Sequence, residues 1–469
     1  MTMSYHRLVP ARVRRFLQEE PRTGIGRWKT IGSATGRYGV SFLTTSDYRR
    51  HAQAHVHGSP IDSDDPRIPL YLPEFAADPH RAYREMRARY GSLAPVELAP
   101  GVPATLVIGY NTALRVLNDP DRFPADPRVW QQDIPAECPI LPLLEWRPMA
   151  SRCAGQEFVR YRQAITASMD EVDMYAIHTV VENIAGPLIN SFCEDGRAEL
   201  IQQYVFPLAF QVINYLLGCP PEIGQQVAAG TAALLEGVDA EAGSRMLGEA
   251  LMNLVLLKRE QPGSDITSVL LQHPVELSEE EVSHHVSQVY GTGIEFELNL
   301  IVNTLLLILT DERFGGSVLG GNLTSRDALD EVLFNDPPLA NLLITYPRMP
   351  ILLDDVWLPA HQPVVISMAA CNNDPAIRTS ELTGNRAHLA WGLGPHACPA
   401  QSLAYMVAEG AIDQLLDAIP EMRADFPDGE AVWRPGPFHR SLAGLPVTFP
   451  PQAPLPGYED TAARPAVRA

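Results

Sequence analysis

One cysteine in this chain stands where its residue type and spacing could do chemistry. Residues 388–407 read HLAWGLGPHACPAQSLAYMV. Gly392 and Gly394 flank Leu393 and permit a tight, open loop that can lie close to a ligand. Cys398 comes next, immediately before an expected helix start, with Pro399 suited to the first helical position. Free backbone N–H groups and the positive helix end then favour thiolate over thiol. A thiolate so held is a nucleophile or a metal ligand; the same residues also fit a buried structural cysteine beside an ordinary glycine loop. The remaining cysteines, Cys138, Cys153, Cys193, Cys219 and Cys371, read as small buried hydrophobes. None is spaced as CxxC, which argues against a zinc ribbon or an iron–sulfur cluster.

The elements that must position this loop are mostly helical. A helix is expected from Pro399 to Leu416, behind the cysteine. A much longer one is expected from Ser278 to Thr310, with capping-box spacing between Ser278 and Glu281 and an apolar C-terminal half, as in a buried helix. The segment AADPHRAYREMRARYG has an Asp cap, an amphipathic run and a Gly stop, so it too predicts a helix. Residues 104–110 read as a strand, NTALRVLNDPDRF (111–123) as a short helix ending in a turn at Asp119–Pro120, and 123–155 as a long ordered loop or lid, rich in Pro and Trp. From 157 to 217, 228 to 256 and 264 to 274 the pattern is helical. One more helix is expected at 326–334, then strands near 351–357 and 363–368, and a strand-like GLPVTF. Without strand–helix alternation or a GxGxxG after a strand, a dinucleotide-binding or barrel fold is not expected.

The 469 residues carry 36 basic and 56 acidic side chains, a formal net charge of −20. A protein that tracks a nucleic-acid backbone carries the opposite sign, so nucleic acid is not an expected partner. The first 65 residues are polar and read as an N-terminal extension, residues 66–450 as the folded domain, and residues 451–469 as a Pro/Ala-rich tail. With no signal-like stretch, and with an apolar run at 298–309 too short to span a bilayer, no membrane is expected and the location is expected to be cytoplasmic.

The run Trp391-Gly392-Leu393-Gly394-Pro395-His396-Ala397-Cys398-Pro399-Ala400 resembles the haem loop F-G-x-G-x-H/R-x-C-x-G of the cytochrome P450 superfamily. Trp391 stands for the Phe, and Ala400 for the last Gly. The resemblance runs over about residues 70–450 and includes Asp119–Phe123 (DPxxF), the stretch 359–375 and the terminal GLPVTF. It is to the bacterial soluble class, and within that to an atypical actinobacterial subset. Only Lys29 and Lys258 stand among the basic residues, as suits a high-GC organism.

The resemblance implies a mainly α fold: a helix-rich triangular domain with a minor β region. It implies haem b, iron protoporphyrin IX, with Cys398 as axial thiolate and metal ligand. It implies that Trp391, Gly392 and Gly394 shape the loop. His396 and Arg162 would bind the haem carboxylates, with Phe158 where a His is usual. The further strand Arg would fall near Thr345, with Arg348 as the nearest substitute. The implied activity is a monooxygenase that oxidises a hydrophobic small molecule in secondary metabolism, with hydroxylation the expected outcome, using dioxygen and electrons from a ferredoxin or flavodoxin.

Two family patterns are broken. The E-x-x-R pair stands as Glu331-Val332-Leu333-Phe334, so the Glu needs another donor or a raised pKa. In the long helix, A/G-G-x-D/E-T-T stands as Thr292-Gly293-Ile294-Glu295-Phe296-Glu297. Gly293 matches the position that gives room beside the backbone, and Glu295 the acid. Phe296 replaces the alcohol that orders a water for proton delivery. Glu295 and Glu297 do not share a helical face, so only one is expected to reach the distal pocket. The breaks motivate two alternatives: a haem-binding regulatory or sensory protein with little activity, or a peroxide-driven or non-redox haem enzyme.

Overall fold

The computed structural model describes residues 67–236, 240–315, 323–377, 385–427 and 429–458. The expected 1–65 extension lies outside the described residues.

Helices of eight residues or more are numbered in chain order. They are α1 (Pro79–Tyr90), α2 (Tyr110–Leu117), α3 (Gly155–Asp170), α4 (Met174–Asn190), α5 (Phe206–Leu216), α6 (Pro221–Glu236), α7 (Ala240–Glu260), α8 (Ile266–Gln272, shorter but kept for its place at the site), α9 (Glu279–Thr310), α10 (Ser325–Asn335) and α11 (Gln401–Ala418). The strands are β1 (Ile68–Pro69), β2 (Leu93–Ala99), β3 (Val102–Val107), β4 (Arg197–Glu199), β5 (Leu343–Thr345), β6 (Ile351–Leu353), β7 (Val356–Leu358), β8 (Val364–Ile366), β9 (Arg423–Ala424) and β10 (Pro446–Thr448).

The local signals act as their chemistry requires. The Asp78 carboxylate accepts from the Arg81 N–H at the start of α1, and Gly91, at φ +71°, closes it. At α9 the Ser278 hydroxyl and the Glu281 side chain cap each other's backbone N–H groups. At 1.5 Å per residue α9 runs roughly 48 Å. It packs on α5, α7, α10 and α11, and its half from Leu298 to Ile308 is buried. By length and composition alone this helix is apolar enough to cross a membrane, contrary to the expectation drawn from 298–309; burial in the core accounts for that apolarity.

The sheet order is β1-β2-β3-β8-β5, with β3 and β8 parallel. A second sheet, β4-β10-β9, joins residues 197–199 to the chain end, and β6-β7 is a hairpin. Four strands escaped the sequence reading: the two-residue β1 and β9, then β2, which pairs antiparallel with β3, and β4, three residues inside a stretch expected to be helical. The 123–155 loop is held by buried Trp130, Ile134 and Leu144. The start of the expected tail is docked: the Tyr458 ring lies against Gly186, and Asn190 bonds the Leu455 backbone through both its amide atoms.

Candidate functional site

The haem-type loop is a folded backbone unit. Gly392 and Gly394 both hold positive φ, +70° and +69°. At Gly394 a Cβ would come within 2.5 Å of the Leu117 carbonyl oxygen, so no other residue fits there unmoved. The Cys398 N–H donates to the Trp391 carbonyl at 2.7 Å, and the Ala397 N–H to Gly394 at 3.1 Å. These bonds fix where the sulfur points. Helix α11 starts two residues later than expected, at Gln401 with Ala400 as its cap residue, so Pro399 is not its first residue. Although the residue is exposed to the cavity, desolvation by the protein around it pushes the Cys398 thiol up, while the Ala400 N–H and Arg162 oppose this.

Cys398 opens onto a cavity of about 350 Å³. Its floor is the loop, with Trp391, Gly392, His396, Cys398 and Ala400. Its roof is a stripe of α9: Gln288, Val289, Thr292, Gly293, Phe296 and Glu297. Its walls come from Phe123, Leu144 and Arg152, from Phe158 and Arg162 of α3, from Val212 and Ile213 of α5, from Ile266 of α8, and from β5 with Thr345 and Tyr346. Along α5 the lining stops at Leu216. A Cβ on Gly293 would lie 2.9 Å from Ile213 Cδ1, so glycine there lets α5 approach the roof.

Two expected site residues lie elsewhere. Arg348 is exposed and does not line the cavity; its backbone N–H bonds the Arg122 carbonyl just past the strand. Glu295 also points away. It accepts from the Asn299 side chain at 3.0 Å, sits 4.0 Å from Arg434, and its side chain is 37% exposed. The cavity stripe advances by i, i+1, i+4, i+5, which is one helical face, and Glu295 is off it while Glu297 is on it.

Phe158, standing where a His is usual, stacks on His396 with centroids 4.2 Å apart. Burial and nearby Arg162 depress the His396 imidazole to about 4, so it is neutral and donates from one nitrogen. Phe296 packs on Trp391 at 4.6 Å, and Trp391 on Tyr405 at 5.4 Å. Glu331 finds its other donor in Arg313, at 2.7 Å. Phe334 is buried in the place of the missing Arg and meets His388 edge-on. One residue before Glu331, Asp330 is 2% exposed and accepts from the Tyr405 hydroxyl at 2.6 Å and from Arg386 at 3.1 Å. This polar cluster links α10, α11 and the segment before the loop.

Arg152 and Tyr346 were not among the expected site residues. Both line the cavity, and the Arg152 Nε and Tyr346 hydroxyl are buried with no hydrogen-bond partner among the described residues. Nothing local in the sequence marks them, since they meet only through the fold. Together with Arg162 and His396 they supply donors along an otherwise apolar wall. A flat apolar macrocycle with two carboxylates and a metal needing one soft axial ligand fits this donor set: cations and unpaired donors for the carboxylates, rings and aliphatic groups for the faces, one cysteine sulfur for the metal.

No family model matches the chain. Among curated proteins it is 29% identical over 393 residues to the cytochrome P450 monooxygenase PikC of Streptomyces venezuelae, covering 80% of this chain and 92% of that protein. It is 27% identical over 402 residues to the vitamin D(3) 25-hydroxylase of Pseudonocardia autotrophica, covering 82% and 97%. Among solved structures, CYP154C4 from a Streptomyces species superposes with a TM-score of 0.75 at 25% identity, covering 83% of this chain and 99% of that one.

Proposed function

The chain belongs to the cytochrome P450 superfamily, and from that premise we propose that it is a haem-thiolate monooxygenase that hydroxylates a hydrophobic small molecule of secondary metabolism. The observation that carries this is the Cys398 sulfur on its glycine-held loop, opening onto an apolar cavity roofed by the Phe296 face of α9. Cys398 would hold haem b through its sulfur, and the bound group would supply the oxygen-activating redox chemistry, helped by electron density from the thiolate.

The chain's own residues do the rest. Arg162, Arg152, His396 and the Tyr346 hydroxyl, all on the cavity lining, would hold the two haem carboxylates. Trp391 packs beside the loop and anchors the cysteine N–H through its carbonyl. Phe123, Leu144, Val212, Ile213 and Ile266 exclude water and give the substrate an apolar bed. Phe296 adds to that bed and offers no proton. The electron donor is a ferredoxin or flavodoxin, the location is cytoplasmic, and residues 66–450 form the catalytic domain with 1–65 peripheral to it. The sensory and non-redox alternatives gain nothing from relatives named as a monooxygenase and a hydroxylase.

The test is isotopic. The holoprotein is given NADPH, a surrogate ferredoxin and its reductase, and a panel of apolar substrates under oxygen-18 gas. One labelled oxygen atom per product is expected. Products formed without the label, or formed equally well without reductant, would overturn the monooxygenase reading.

A further inference from the structure

The roof of the cavity holds a single carboxyl group, that of Glu297. The residue is 6% exposed. Its Oε1 is shielded from solvent and has no hydrogen-bond partner among the described residues. A carboxylate stripped of water without a compensating bond is costly, so such a group is carried as the neutral acid. Burial pushes the Glu297 carboxyl well above the ordinary range, in agreement with that argument. A neutral carboxylic acid has an O–H to donate, which a carboxylate lacks. Its immediate neighbour on the same stripe is Phe296, a ring that can donate nothing.

We propose that Glu297 is a catalytic residue, the proton donor of this cavity, serving where the position of Phe296 leaves no alcohol. This rests on the monooxygenase reading given above. The overall balance takes substrate, one dioxygen, two electrons from the reductant and two protons to hydroxylated product and water. Glu297 supplies one of those protons. Its O–H bond breaks as reduced oxygen takes the hydrogen, and the carboxylate left behind takes a proton back from water entering the cavity. Glu295, turned toward Arg434 outside the cavity, has no such part.

The experiment uses the holoprotein as wild type, Glu297→Ala, Glu297→Gln, Glu295→Gln, and Glu297→Ala combined with Phe296→Thr. The first readout is the infrared C–O stretch of the ferrous carbon monoxide form, which responds to hydrogen-bond donors in the cavity and needs no substrate. It shifts in Glu297→Ala, shifts less in Glu297→Gln, whose amide still donates, and stays put in Glu295→Gln. The second readout is product and hydrogen peroxide per NADPH with lauric acid or testosterone, whichever the wild type oxidises. Product per electron falls about 100-fold in both Glu297 variants, the lower end for removal of a general acid. It stays within about twofold in Glu295→Gln. The added alcohol of Phe296→Thr returns part of the loss in the Glu297→Ala background, which a merely structural gap at 297 does not predict.

The isosteric Glu297→Gln keeps the test alive if the alanine variant loses haem. An unchanged C–O stretch and unchanged product per electron in Glu297→Gln would overturn the proposal, as would a loss confined to Glu295→Gln. A wild type without a thiolate-type carbon monoxide spectrum would instead sink the reading on which it rests.

Discussion

Phe296 takes the place of a hydroxyl on the cavity roof and packs on Trp391, the aromatic of the cysteine loop. The helix thereby exchanges a proton-handling group for a ring contact between roof and floor. Phe296→Thr reverses the exchange. With an apolar substrate that brings no polar group of its own, product per NADPH should rise about two- to threefold as a second donor joins Glu297. The cost is packing, about 1–3 kcal/mol in unfolding free energy for a large-to-small change at a half-buried site. Measured peroxide per NADPH that does not fall in this variant contradicts the proton-supply argument. Cys398 was legible in the sequence because two glycines, a histidine and a cysteine stand in one contiguous register. The choice between Glu295 and Glu297 was made from a pattern that does not specify a helix face. The stripe from Gln288 to Glu297 was the signal that could have decided it. Arg152 and Tyr346 left no signal, because a cavity wall built from distant segments has no local pattern.

At the scale of elements, the roof helix is tied to its neighbour at its N-terminal end. Glu281 of α9 accepts from Arg160 of α3 at 2.5 Å and from the Tyr161 hydroxyl at 2.7 Å. Burial alone would raise this carboxyl, but Arg160, the Ser278 N–H and Tyr161 outweigh it and hold it at about 2. A carboxyl with a depressed folded-state value contributes stability that is fully present above its unfolded value and lost as pH falls through the folded one. The window is thus from about pH 4.5 down to about pH 2. After discounting for the half-exposed Arg160, about 1–3 kcal/mol is at stake. Chemical denaturation of Glu281→Gln should show that loss at pH 7, and the difference from wild type should shrink as pH falls through this window. A constant difference down to pH 2 contradicts the assignment.

The polar cluster on α10 gives a second test. Asp330→Ala leaves the buried Tyr405 hydroxyl without its acceptor, at a cost of about 1–3 kcal/mol in unfolding free energy, read as a lower denaturant midpoint. No change there would mean that Phe334, not this cluster, stabilises the junction. The long helices were legible because caps and periodicity agree in Asp78–Gly91 and in Ser278–Thr310. Strand β4 was not, since three residues with charged ends carry no alternation, and its pairing partner β10 lies at the far end of the chain.

Among the described residues a cysteine-floored cavity lies under α9, and everything proposed about its chemistry depends on a haem bound there through sulfur. The broken E-x-x-R pair does not prevent this, because Arg313 satisfies Glu331 and buried Phe334 fills the vacated space. Residues 1–65 are proposed to be peripheral, so a protein beginning at residue 66 should retain its haem stoichiometry; haem loss on truncation contradicts that. The most direct measurement is the ferrous carbon monoxide difference spectrum of the wild type beside Cys398→Ser. The account predicts a thiolate-type band, far to the red of ordinary haem, in the wild type, and its loss in Cys398→Ser. A band that survives the substitution, or a wild type without it, would contradict the assignment of Cys398 and the function built on it.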